Sequence, residues 1–333
     1  MLEGHQTAAD EKRIVKMLFF CAALLLITMI TGFIISGEAE EGMKYQIEEN
    51  PEESRMYYPY KIVSHSAVIY LAQEDIDLLG EEAYYAGLNM LLEHMENDFS
   101  EAREILKDYL KDEIPPVRIS TCFSDNSGTA QTWDAYYYNP NVGIRLYKGW
   151  DQAATSLLHE YIHYLTLDNF RYRIKGGFWK EGIAEYISML VCSNDMARAV
   201  NYGLSDYSAF LKSYGFLDEE GKIDIRKFSY GISALWDADL YLGVKYTPVG
   251  GRTMTMTKRT QEHPSMDMLT YKQAACFLEY LVNRFGEERV FTHMTYDNTN
   301  FRGLYGQTFE ELCNEWKQEN LKRCAELGLN LDP

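Results

Sequence analysis

The residues best suited to chemistry are two histidines and a glutamate in the segment HEYIH, which spans residues 159 to 163. Side chains four positions apart share one face of an α-helix, so His159 and His163 can direct imidazole nitrogens at one cation. Glu160 lies about 100° further round the helix, where its carboxylate can reach a water molecule beside that cation. The spacing predicts a metal site that activates water, although a buried helix whose histidines form ordinary hydrogen bonds is the simpler alternative.

A second acidic segment follows the first, because Glu181 lies eighteen positions after His163 and opens the stretch EGIAEY behind a glycine pair. A new helix after that glycine pair can bring the Glu181 carboxylate back beside the histidines. Zinc suits imidazole ligands and needs a third protein ligand, for which Glu181 is the candidate. Glu185, one turn later on the same face, is the candidate acceptor for the free N–H of a ligating histidine. Both acids are also compatible with an exposed helix surface.

HExxH followed by an EGxAEY-like helix resembles the gluzincin metallopeptidases, which include thermolysin and the aminopeptidase N-like enzymes. The chain also resembles the small bacterial peptidase MA-like domains, and the resemblance covers most of residues 60 to 327. It implies a zincin-like fold, with Zn²⁺ held by His159, His163 and Glu181 and with Glu160 as the general base. It also implies that the substrate is a peptide or protein.

The chain departs from the aminopeptidase N-like branch in two places. Those enzymes grip the substrate amine with a G-x-M-E-N segment, whereas residues 141 to 145 of this chain read NVGIR and contain no glutamate. The interval from His163 to Glu181 is also one residue shorter than in that branch. We therefore expect an endopeptidase, with the segment VGIRLY, residues 142 to 147, as a candidate edge strand for an extended substrate.

The tetrahedral oxyanion of peptide hydrolysis needs a hydrogen-bond donor, and Tyr271 is the candidate. It stands in the segment TYKQAACF, which resembles the Y-E-K-G-A helix start that supplies a catalytic tyrosine in the aminopeptidase N-like branch. A tyrosine that only packs in an amphipathic helix is the alternative. His263 and His293 are weaker candidates, because thermolysin-like enzymes use a histidine for this task.

Residues 17 to 36 form an uncharged apolar stretch whose length as a helix, about 30 Å, matches the hydrocarbon core of a bilayer. Cationic residues precede it and acidic residues follow it, so the positive-inside rule places the N-terminus in the cytoplasm and the body outside. A cleaved signal peptide is the alternative, but no small-x-small cleavage site follows. The predicted organisation is a cytoplasmic tail at 1–16, a transmembrane anchor at 17–36, an acidic linker at 37–60 and a metallopeptidase domain at 61–330.

The net charge of −18 argues against binding to nucleic acid, because an acidic surface repels phosphate backbones. Five cysteines lie beyond the apolar stretch, at positions 122, 192, 276, 313 and 324, and none forms a CxxC pair. This odd number without a paired spacing predicts isolated buried thiols, with room for one disulfide bridge.

Hydrophobic patterning predicts an α+β fold, with a small N-terminal mixed sheet, an active-site helix and a mainly helical C-terminal part. Strands are expected at 66–72, 117–123 and 142–147. Helices are expected within 73–111, from about 150 to 167 with Asp151 as N-cap, from about 178, and at 194–216, 270–285 and 308–327.

Taken together, these features predict a membrane-anchored, extracytoplasmic zinc peptidase. The alternative is a catalytically silent binding module with a zincin fold at the cell surface. The presence of Glu160 argues against that alternative, because a binding module has no use for a general base.

Overall fold

The computed structural model describes residues 45–50, 58–125, 135–172, 174, 177–192, 212, 214–235, 266–295, 300–329 and 331. The chain divides into two units, Met1–Ile47 and Glu48–Pro333, and only the last three residues of the first unit are described. No helix in the described ranges is long and apolar enough to cross a membrane. The predicted anchor at 17–36, His263 and nearly all of the predicted helix at 194–216 lie outside these ranges.

One mixed sheet of six strands has the order β1-β2-β3-β4-β6-β5. The central pairs β3/β4 and β4/β6 are parallel, whereas β2/β3 and β5/β6 are antiparallel. The strands are β1 (Ile47–Glu49), β2 (Tyr60–Val63), β3 (Ala67–Leu71), β4 (Val117–Thr121), β5 (Ala135–Tyr137) and β6 (Ile144–Leu146).

Along the central strands, buried side chains alternate with more exposed ones. In β3 the residues Ala67, Ile69 and Leu71 are fully buried, while the two residues between them are only half-buried. The turn from β5 to β6 requires Gly143, which has a φ of 79°. A Cβ at that position would lie 2.0 Å from the carbonyl oxygen of Arg118, so any other residue would clash with the neighbouring strand.

The other main elements of the described structure are helices. They are α1 (Gln73–Leu79), α2 (Glu81–Leu106), α3 (Gly149–His163), α4 (Gly177–Val191), α5 (Ile225–Ala234), α6 (Met266–Phe285), α7 (Glu287–Thr295), α8 (Phe301–Tyr305) and α9 (Phe309–Glu326). Helix α2 buries an apolar stripe against α3, α3 packs on α4, and α4 packs along α6. The last helix, α9, begins with a capping box in which Thr308 and Glu311 bond each other's backbone N–H groups.

The α+β class and the mixed sheet are therefore confirmed, as are the three predicted strands and the helices containing 178–191, 270–285 and 309–326. All five cysteines in the described ranges are free thiols, four of them buried, in agreement with the prediction.

Two local predictions are wrong. Asp151 does not cap α3, because the helix begins at Gly149 with Lys148 in the N-cap position. The segment 142–147 does not supply an edge strand, because β6 lies between β4 and β5, and β5 is the outer strand among the described residues. Several short elements had no clear sequence pattern, namely β1, β2, β5, α5, α7 and α8; β1 lies within the stretch expected to be a linker.

Candidate active site

Helix α3 places both histidines and the glutamate of its last turns in a buried cluster. His159, Glu160 and His163 are 4%, 5% and 8% exposed, and each offers a ligand atom within 4.8 Å of the others. The two imidazole rings are perpendicular, with centroids 4.6 Å apart. The spacing of four residues thus brings both rings to one point, as the sequence predicts.

Glu181 meets the two histidines from the first turns of α4. Its Oε2 atom lies 3.3 Å from Nε2 of His159 and 3.2 Å from Nε2 of His163. Ligands about 2.0–2.1 Å from a tetrahedral zinc ion are separated by about 3.3–3.4 Å, which these spacings match. Two imidazole nitrogens and one carboxylate oxygen are also the donor types that zinc prefers, so the residues fit this metal.

The two nearby carboxylates, Glu160 and Glu181, are distinguished by their partners. Glu181 presents a single oxygen to both imidazole nitrogens, within hydrogen-bond distance of His163, so these three atoms already point to one place. Glu160 also lies within the cluster, but its Oε2 accepts the backbone N–H of Tyr137 at 2.7 Å. A metal bound here would therefore take Glu181 rather than Glu160 as its third ligand, with Glu160 beside it.

Strand β5 is tied to this part of α3 at two points. The Tyr137 N–H binds Glu160, and the Tyr137 hydroxyl donates to Asp168. Asp168 ends a π-helical turn, Tyr164–Asp168, that directly continues α3 beyond His163. Such wide turns are frequent beside functional sites, and here the turn brings the chain back to the edge of the sheet.

The electrostatic field of the cluster favours positive charge. Burial by itself would lower the pKa of His159. The nearby carboxylates of Glu181 and Glu185 outweigh this effect of burial and raise the pKa of the imidazole to about 10. Burial would likewise raise the pKa of Glu181, yet His163 and the contacts with both histidines hold it well below its usual range. Burial raises the pKa of Glu160, and the two histidines only partly offset that effect.

Glu185 lies behind His159, as predicted, and the structure adds a partner that sequence reasoning missed. Oε1 of Glu185 lies 3.0 Å from Nδ1 of His159, within the distance of an ion pair. The other oxygen accepts a hydrogen bond from the ammonium of Lys272, on α6. Both Lys272 and Glu185 are 1% exposed.

The close packing of α4 on α6 makes this contact possible. Gly182 follows Glu181 in the chain, and a Cβ at that position would lie 3.3 Å from the Cβ of Ala274. The absence of a side chain on Gly182 lets the two helices approach and brings Lys272 to Glu185.

The sequence feature that could have indicated this contact was a lysine on the apolar face of an amphipathic helix, one turn before Cys276. For Tyr137, whose contact is made by its backbone N–H, the sequence carries no signal.

Tyr271 lies beside the cluster, as its prediction requires. Its half-buried ring is nearly parallel to that of His159, with an interplanar angle of 15° and centroids 6.3 Å apart. His293, one alternative donor, is instead fully buried among Trp179, Phe301 and Tyr305. That position leaves His293 no surface for a substrate to touch.

Comparison with protein-family models, with curated proteins and with solved structures gave no match for this chain. The assignment of a function therefore depends on the site itself.

Proposed function

We propose that this chain is a zinc-dependent endopeptidase with a zincin-like fold, related to the gluzincins. Endopeptidase activity is proposed because residues 141 to 145, NVGIR, lack the glutamate of the G-x-M-E-N segment that grips a substrate amine. The observation that carries the proposal is the convergence of both His159 and His163 on one oxygen of Glu181, with Glu160 held beside them. His159, His163 and Glu181 would hold the metal.

Zinc, when bound, polarises a substrate carbonyl and lowers the pKa of a coordinated water molecule. Glu160 is placed to take the proton of the attacking water and to return it to the leaving nitrogen. Its raised pKa makes it a better base than an exposed glutamate, and the Tyr137 N–H fixes the direction of its carboxylate. Tyr271, whose ring lies beside that of His159, is the proposed donor to the oxygen on which negative charge develops.

A peptide is the proposed substrate because the resemblance to the gluzincins implies one. Within the described ranges β5 pairs with β6 on one side, and its other side faces α3. The Tyr137 N–H on that side is bonded to Glu160, and Ala135 and Tyr137 are both buried, so β5 orients the proposed base rather than offering its backbone to a substrate.

The proposed location is the outer face of the cytoplasmic membrane. It is supported by the apolar stretch at 17–36 and by the charges on either side of it.

The test begins with the metal content of the purified full-length chain. We expect one zinc per chain, most of which is lost in His159→Ala and in His163→Ala. His94→Ala is a matched control, because His94 lies on the exposed face of α2 and should leave the zinc in place. Unchanged zinc in both site variants would contradict the assignment.

The second step is cleavage of a mixed peptide pool, which a chelator should abolish. Glu160→Gln should keep the zinc and its bond to Tyr137 but lose at least about 10²-fold in turnover, because a carboxamide cannot accept a proton. A wild-type chain that binds zinc and cleaves nothing would favour the silent binding module. Full hydrolysis by Glu160→Gln would remove the general-base role.

A further inference from the structure

Lys272 is a buried cation that has no role in the proposed mechanism. Its side chain is 1% exposed and its ammonium donates to Oε2 of Glu185, which is equally buried. A charge taken out of water costs free energy unless it is paired, so a lysine at this depth needs a specific partner. That partner is the carboxylate that faces Nδ1 of His159 at 3.0 Å.

The position of Lys272 among the charges of the cluster indicates which carboxylate it acts on. Three carboxylates converge on the two histidines, those of Glu160, Glu181 and Glu185. Lys272 bonds only one of them, Glu185, which is the carboxylate that lies behind His159. The charge of Lys272 therefore acts on the group that faces Nδ1 of this proposed metal ligand.

We propose that Lys272 is a positioning residue, which acts on the metal centre by holding the Glu185 carboxylate against Nδ1 of His159. A carboxylate at that nitrogen fixes the ring orientation and the tautomer that leaves Nε2 to face the metal. The chain of contacts runs from Lys272 on α6, through Glu185 on α4, to His159 on α3. This inference rests on the proposed zinc site and adds a residue to it.

The competing explanation is an ion pair that only joins α4 to α6. Such a pair would affect the stability of the fold without altering the affinity of the metal site. The two explanations therefore separate when zinc affinity and thermal stability are measured on the same variants.

The experiment uses the full-length chain, stripped of metal and titrated with zinc against a competing chelator. Lys272→Met keeps the length of the side chain and removes its charge. Gln273→Met is the matched control, because Gln273 is the next residue of α6, is equally buried, and bonds the carbonyl oxygen of Ile232 rather than the site. The melting temperature of each variant without metal reports the structural cost.

We expect Lys272→Met to raise the zinc Kd by about 10- to 100-fold, which is the usual effect of losing a partner behind a ligand. Gln273→Met should lower the melting temperature and leave the zinc Kd within about threefold of wild type. A Lys272→Met chain that binds zinc as tightly as the control would overturn the inference and leave the zinc site standing. A wild-type chain that binds no zinc would overturn both.

Removal of Lys272 alone leaves a carboxylate buried without this cation, so the single variant can fail to fold. The double variant Lys272→Met/Glu185→Gln removes both charges and provides the second arm. Its zinc Kd should also rise at least about tenfold, because the charged pair behind His159 is gone. A double variant with a Kd within about threefold of wild type would refute the positioning role.

Discussion

The buried His293 makes the stability of the fold depend on pH, independently of any metal. Its side chain is completely buried, with Nδ1 at 2.9 Å from the Tyr305 hydroxyl, and Nε2 has no hydrogen-bond partner among the described residues. Burial lowers the pKa of this imidazole from 6.5 to about 4. The folded chain therefore keeps His293 neutral at pH values where the unfolded chain protonates it.

The sign and the size of the effect follow from these two values. A depressed pKa contributes stability that is fully present above pH 6.5 and is lost as the pH falls towards 4, because the unfolded chain then binds the extra proton. The full effect is about 3 kcal/mol, from about 2.5 pKa units at 1.36 kcal/mol each. Between pH 7.5 and pH 5 it amounts to about 2 kcal/mol.

The assay is denaturant unfolding of wild type and of His293→Gln across this pH range. Glutamine is neutral at every pH and can still bond Tyr305, so the free-energy difference between the two chains isolates the titration of His293. The stability advantage of wild type at pH 7.5 should shrink by about 2 kcal/mol at pH 5. His94→Gln, on the exposed face of α2, measures the effect of losing one histidine as such. Parallel stability curves for wild type and His293→Gln, within about 0.5 kcal/mol, would refute the reasoning.

Two further predictions concern turnover and topology. Tyr271→Phe should lower kcat by about 10²- to 10³-fold and leave the zinc content unchanged, because the phenol acts only as charge develops on the substrate oxygen. A kcat within about threefold of wild type would show that Tyr271 merely packs. Protease added to intact cells or spheroplasts should digest the chain beyond residue 37, because the body is expected outside; digestion that occurs only after lysis would contradict this topology.

The sequence predicted those parts of the site that depend on spacing within one helix. His159 and His163 share a face because they are four residues apart, and Glu185 follows Glu181 for the same reason. Even the approach of α4 to α3 was foreseeable from the glycine break between them. Each of these relations is local, so periodicity and turn residues were enough to predict it.

The remaining contacts depend on tertiary packing that periodicity does not encode. Lys272 reaches Glu185 across 87 positions, and its helix appears in the sequence only as an amphipathic segment. The Tyr137 contact uses a backbone N–H on a strand of three residues, which is too short for an alternation pattern to stand out. The assignment of the edge strand failed for a related reason, because strand order is decided by pairing among segments far apart in the chain.

The cluster also bears on the simplest alternative, a buried helix whose histidines are satisfied by hydrogen bonds. Such a helix needs neutral acceptors, and amides or backbone carbonyls supply them at little cost. This site instead buries Glu160, Glu181 and Glu185 around two imidazoles, which is expensive unless a matching positive charge is present. Lys272 supplies part of that charge, and His159, whose pKa is raised, can supply more as an imidazolium. A bound cation would take the place of that proton, so the zinc content of the purified chain decides between the two explanations.

The position of Glu160 separates catalysis from mere cation binding. A binding module would be served by His159, His163 and Glu181, whose contacts are complete without a second nearby carboxylate. Glu160 is nevertheless buried, at the cost of a raised pKa, and is oriented by the N–H of Tyr137. That bond fixes the direction of the Glu160 carboxylate beside the three proposed metal ligands. A buried carboxylate with a raised pKa in that position suits proton transfer, which supports the proposed hydrolysis over binding alone.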